Sequence, residues 1–290
     1  MLALVMFLAV LLTTPAPAAA PNPTPLPSLT PTHLLGAIRA QFRSHRPPPP
    51  FETYTLIRKQ LATNGFPDLA ESYTKHFWIR NSDRAALSRY VFRDDARGDL
   101  NFDRPAFNED RDPGPPTADV FEPAPLRPHP VSEVYTPEPN FTAPPLIGGV
   151  RFLVEYDYTV TSVETVGEQL HLHIEPIRDV ERNRLREIWC DKHTLELRKL
   201  VATDKLFVEG GGVATHVYAV IFTYTMGNVQ GYPVVTDLHG VVGKDSDGNQ
   251  YDGDGRDVDY QFRDIAFPAS LPAWYFDPHT YAQHQSDAPS

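Results

Sequence analysis

The chain has 290 residues, 41% of them hydrophobic, and a formal net charge of −11. A domain holds roughly 100–200 residues and an all-β unit reaches about 250, so one large domain or two small ones fit, with ample core. The acidic balance, with no lysine or arginine cluster on a periodic face, argues against a nucleic-acid partner, and Cys190, the only cysteine, rules out an internal disulfide.

Met1 to Leu12 is an unbroken apolar run followed by TTPAPAAA. An apolar segment of about 7–15 residues ending in small residues predicts a signal peptide over 1–20, since a membrane span needs about 20. The expected location is a bacterial periplasm or the medium, with no stable membrane span after cleavage. Prolines gather in two places, from Pro15 to Pro50 and from Pro105 to Pro145. The first gives an extended linker over 21–31. Within the first cluster THLLGAIRAQFRSH, Thr32 to His45, places Leu34, Leu35, Ile38 and Phe42 at helical spacing, and PPPP ends the helix.

From Phe51 the dominant period is two. ETYTLIRKQL, ESYTKHFWIR and LSRYVFRD are strand-like runs separated by turn residues. A proline-rich insert, 105–148, then interrupts the pattern. Proline donates no ladder hydrogen bond, so this insert is a long loop covering part of the domain rather than central sheet. Strands resume with FLVEYDYTVTSV, where Phe152, Val154, Tyr156, Tyr158 and Val160 share a face. In EQLHLHIEPI, Leu170, Leu172 and Ile174 oppose His171, His173 and Glu175. LREIWCD and TLELRKLVATDKLFV meet at a DKHT turn, and HVYAVIFTYTM, apolar on both faces, predicts a strand covered on both sides. GYPVVTDLHGVVG and DVDYQFRDIAF follow. Val258, Tyr260 and Phe262 share one phase and Ile265 and Phe267 the other, so a bulge is expected near Arg263 and Asp264. The fold class is mainly β (α+β): a large, strongly curved antiparallel sheet, or half-barrel, with one N-terminal helix. It occupies a single domain over 32–278, with a tail over 279–290.

Two clusters invite a metal. In KDSDGNQYDGDG, Asp245, Asp247 and Asn249 match the first three ligand positions of a calcium loop, but Gln250 and Arg256 stand where a glycine and a bidentate glutamate are required. A solvated hairpin tip explains the run better. His171, His173 and Glu175 lie on one face of one strand, a donor set suited to zinc or iron, with His216 or His239 as outside ligands. The polar face of a half-buried strand, opposite Leu and Ile, is the preferred reading, so no metal or other cofactor is expected. Cys190 and His193 bracket a tight turn, and a packed, inert thiol is preferred to a nucleophile–base pair. Neither Asn140-Phe141-Thr142, a glycosylation acceptor, nor the tripeptide Arg97-Gly98-Asp99 carries weight, and the common hydrolase and phosphate-loop motifs are absent.

The apolar leader, the single helix and the interrupted series of strands close on GYPVVTDLHG and VDYQFRDIAFPASLPAWYFDP. This order of elements, from Thr32 to Pro278, resembles the periplasmic lipoprotein-carrier superfamily, which includes the LolA and LolB carriers and the RseB-type sensors. The resemblance implies a half-barrel with helices across its open side and a non-enzymatic role in binding an acyl chain or a lipoprotein. The long proline-rich insert and the single helix depart from that pattern, and no site residue is carried over. Aromatic side chains concentrated in strands agree with an apolar ligand in the concave face. Two alternatives stand beside it: a metal-dependent enzyme using His171, His173 and Glu175, and an envelope interaction module acting through the proline-rich loop.

Overall fold

The computed structural model describes residues 30–60, 72–94, 105–108, 113–123, 157–210, 213–245, 247–249, 251 and 257–284. The expected signal peptide, nearly all of the linker, Phe152, Val154 and Tyr156 lie outside these residues. So do Asn140, the Arg97 to Asp99 tripeptide and the proline-rich insert from 124 onward.

Helix α1 spans Pro31–Arg43, with Thr30 as N-cap and proline in its first turn. Proline suits that position because its missing N–H has no helical partner there. Leu34, Leu35, Ile38 and Phe42 are all buried, as their spacing requires.

Among the described residues eleven strands follow: β1 Phe51–Gln60, β2 Ser72–Arg80, β3 Ala85–Asp94, β4 Ala106–Phe107, β5 Tyr158–Val166, β6 Gln169–Pro176, β7 Leu185–Asp191, β8 Leu197–Gly210, β9 Val213–Val229, β10 Tyr232–Asp245 and β11 Asp257–Ala266. They form one sheet in the order β4-β3-β2-β1-β11-β10-β9-β8-β7-β6-β5. Every pairing is antiparallel. The sheet is not closed, and β4 and β5 are its two edges. The link from β4 to β5 therefore runs from one edge to the other. Its described part, 113–123, crosses the face on which α1 sits. We refer to it as the strap.

Laid flat, eleven strands would span roughly 48 Å between the edge strands at about 4.8 Å per step, far more than the roughly 20 Å length of a 13-residue helix. Yet one buried cluster joins Leu35, Ile38 and Phe42 of α1 to Phe77 and Ile79 of β2 and to Leu172 and Ile174 of β6. Curvature brings the two halves together around a common core. Register shifts lie in the β1–β11, β2–β3, β5–β6, β9–β10 and β7–β8 pairings, and such bulges bend a sheet. The β1–β11 bulge falls where the change of phase places it. Thr53 pairs with Ala266 and Thr55 with Arg263, so β11 carries one residue more. Asp264 takes a φ of 53° and accepts a hydrogen bond from the Thr55 hydroxyl at 3.1 Å.

Two expectations change. Strand β9 is not covered on both sides: Ile221 is 43% exposed, while Phe222, Tyr224 and Met226 face the core. Its outer face is simply solvated, and apolar residues there do not mark a second layer. Packed structure also continues beyond 278. A 3-10 turn, Ala273–Phe276, leads into helix α2, Pro278–Gln283, whose Tyr281 is buried. Together they cover the outer side of β2, β3 and β4, where Tyr275 meets Trp78 of β2 and Tyr281 meets Phe107 of β4 edge to face.

Candidate functional site

The inner face of the sheet is lined by alternate residues of each strand. Tyr54 and Leu56 of β1, Phe77 and Ile79 of β2, Leu238 of β10 and Phe262 of β11 are all at most 5% exposed. Tyr54 stacks on Phe77 with ring centroids 4.8 Å apart and tilts against Phe262 at 5.6 Å. On this face lie α1 and the strap, so the concavity is filled rather than empty.

The cover is joined internally and to the sheet by a few polar and aromatic contacts. Phe42 of α1 meets Phe121 of the strap edge to face, and Arg43 Nε donates to Asp119 Oδ2 at 3.1 Å. The Arg39 guanidinium, only 4% exposed, lies 5.1 Å from the Phe121 ring centre and 5.4 Å from that of Tyr158. Burial lowers its pKa to about 10, because the charged form loses water. Two hydrogen bonds tie the described part of the strap to the strands. Val235 N–H of β10 donates to the Pro116 carbonyl at 2.8 Å, and the Thr117 hydroxyl donates to Glu52 of β1 at 2.7 Å. Glu52 is fully buried. It shares the face of Tyr54 and Leu56, a phase legible in the sequence, but its charge hid it among surface residues.

Toward the other end of β1 the same face becomes cationic and aromatic. The Arg58 guanidinium sits 5.7 Å from the Tyr73 ring centre and 5.9 Å from that of Tyr260, and it donates to Gln60 at 2.5 Å. Lys75, 8% exposed, places its ammonium 4.1 Å from the ring centre of Tyr90. Sequence reading did not single out these side chains, since only the pairing of β1, β2, β3 and β11 gathers them.

The histidines of β6 lie on the opposite, outer face, because Leu172 and Ile174, which alternate with them, point to the core. Glu175 does not complete their set. Glu187 of β7 does: it pairs with His173 across the ladder, and its Oε2 lies 3.0 Å from His171 Nε2. His171, His173 and Glu187 each offer a ligand atom within 4.8 Å of the others. His216 and His239 stand elsewhere, beside Asp245 at 3.0 Å and Asp259 at 2.7 Å.

The acidic run behaves as a turn. Asp245 accepts from the backbone N–H groups of Asp247 and Asn249 and from the Asn249 side-chain amide, at 3.0, 2.7 and 3.0 Å. Gly248 supplies the positive φ of 83° that the turn requires. Asp252 and Asp254 lie outside the described residues. Cys190 is buried in the core, where desolvation pushes its thiol up to about 12. His193 is exposed and turned to Glu168 at 3.3 Å, so the two do not act as a pair.

No helix of the described residues is long and apolar enough to cross a membrane. No family model matches the chain, and no curated protein sequence does. Solved structures that resemble it in shape include a LolA superfamily protein from Nitrosomonas europaea, 11% identical over 84% of this chain and 98% of the other, TM-score 0.38. A DUF1329 family protein from Desulfovibrio piger is 9% identical over 87% and 99%, TM-score 0.38. A putative outer membrane lipoprotein-sorting protein domain from Vibrio parahaemolyticus is 11% identical over 86% and 96%, TM-score 0.36. At these values the likeness is too distant to carry a function across.

Proposed function

We propose that the chain is an exported, non-enzymatic binding protein that takes an acyl chain, free or as part of a lipoprotein, against the inner face of its sheet when the cover lifts. One observation carries this reading. The cover is a separate layer: α1 and the strap lie over the sheet without forming a strand of it, over an aromatic and aliphatic surface. An acyl chain can replace Leu35, Ile38, Phe42 and Phe121 with side-chain burial of the same kind, at about 25 cal/mol per Å² of apolar surface. The cationic end formed by Arg58 and Lys75 among tyrosines suits a carboxylate or phosphate head, so the preferred ligand is amphipathic. Export rests on the apolar leader.

The test is titration of delipidated full-length protein with a fluorescent long-chain fatty acid, alongside mass spectrometry of lipid that co-purifies. Saturable binding, weakened in Arg58→Ala for the acid but not for the matching alcohol, is expected. If the probe fails to bind and no lipid co-purifies, the reading is wrong.

A further inference from the structure

On the outer side of the sheet, opposite the covered face, β6 and β7 present a second set of side chains. We infer that His171, His173 and Glu187 form a binding site for a divalent transition-metal ion, zinc by ligand class. The site is independent of the acyl-binding reading, since Leu172, Ile174 and Ile188, which alternate with these residues, face the core.

The geometry is close to what zinc needs. Tetrahedral bonds of about 2.0–2.1 Å place neighbouring ligand atoms roughly 3.3 Å apart. Here His171 Nε2 and Glu187 Oε2 are already 3.0 Å apart, and the three ligand atoms lie within 4.8 Å of one another. Closing the set takes side-chain shifts of about 1.5 Å at most, and Glu187 is partly exposed and has room to move. Both histidines come from one strand, and Glu187 is fixed opposite His173 by the ladder. The ligands therefore do not depend on a loop for their placement.

Packing holds the first ligand ready. His171 is only 8% exposed and stacks on Trp189 with centroids 3.8 Å apart and planes 16° from parallel. His173 lies against it at 4.2 Å, and the Lys199 ammonium lies 4.9 Å from the Trp189 ring centre. An imidazole held this way loses little freedom on coordination. The donor chemistry selects the ion class. Two imidazoles and one carboxylate suit zinc and its neighbours, whereas calcium and magnesium require oxygen ligands throughout. Three protein donors leave one tetrahedral position for water or for a donor from another molecule.

The experiment is calorimetric titration of the chelator-treated, full-length protein with Zn²⁺, with Mg²⁺ as control. One ion per chain is expected. Affinity should fall more than about tenfold, the loss that even an outer partner of a metal site brings, in Glu187→Gln and in His173→Gln. Glu175→Gln, two positions along the same face, should leave it unchanged. Cu²⁺ gives a second readout: stoichiometric quenching of tryptophan fluorescence in the parent and its loss in Trp189→Phe, with folding checked by circular dichroism. Binding of Zn²⁺ that is equal in Glu187→Gln, His173→Gln and the parent would overturn the assignment, as would failure of the parent to bind or matching quenching in Trp189→Phe.

Discussion

The Thr117 hydroxyl donates to the carboxylate of Glu52 at 2.7 Å in a buried setting, joining the strap to the first strand of the sheet. A buried carboxylate that loses a donor keeps its desolvation cost, so Thr117→Val should destabilise the protein by about 1–3 kcal/mol. Urea unfolding measures this, and hydrogen exchange across 113–123 should speed up in the variant. Unchanged exchange in the strap would mean that other contacts hold it.

Ile38 of α1 is fully buried against the sheet. Replacing it with alanine removes that contact and leaves a cavity, at a cost of about 2–5 kcal/mol. Ala40→Ser, on the exposed side of the same helix, should change stability by less than about 0.5 kcal/mol. Thermal melts of both variants separate a packed cover from one that merely rests on the sheet.

At Asp264 the backbone φ is 53°. A β-branched residue pays about 1–2 kcal/mol there, so Asp264→Val should lower the melting temperature well below that of Asp264→Gly. Equal melting temperatures would show that the Thr55 hydrogen bond, lost in both, dominates.

Burial holds the Cys190 thiol neutral and raises its pKa to about 12. A raised folded-state value gives stability that is complete below the unfolded thiol pKa of about 8.5 and declines as pH rises toward the folded value. Between pH 8 and 10 the stability difference between the parent and Cys190→Ala should therefore shrink. Iodoacetamide at pH 8 should label the thiol only after denaturant is added; rapid labelling of native protein would place the sulfur at the surface.

The Asn249 side-chain amide, with backbone N–H groups beside it, holds the Asp245 carboxyl below the usual carboxylate range. A depressed value gives stability to the hairpin tip that is present above the unfolded pKa of about 3.9 and is lost as pH falls through the folded one. Amide resonances of Asp247 and Asn249 should follow that titration, and Asn249→Ala should move it upward. Calcium should not change these resonances at neutral pH; a stoichiometric shift would restore an ion to the tip.

Much of the fold was legible because its signals are local. The stripe of Leu34, Leu35, Ile38 and Phe42 sets the helix, the alternation of Leu172 and Ile174 sets the inner face of β6, and the change of phase between Phe262 and Ile265 sets the bulge. The parts that stayed hidden depend on register between strands. Glu187 joins His171 and His173 only because β7 pairs with β6 at one particular offset, while Glu175 sits farther along its own strand. The cationic end needs β1, β2, β3 and β11 side by side. For β9, apolar composition on both faces signals strand propensity, and it does not report whether a second layer exists.

The pairing of β1 with β11 has a consequence for biogenesis. Thr55 and Asp264, bonded to each other, are 209 positions apart in the chain. The strands β5 to β11 can pair in succession as neighbouring hairpins, but β1 can find its partner only after β11 has been made and delivered. Until then β1 and β10 each present an unpaired edge, the kind of surface that captures other chains. A chain halted before Asp257 should accordingly aggregate rather than settle into a smaller sheet, and the late joining of this seam is where a folding helper would be needed most.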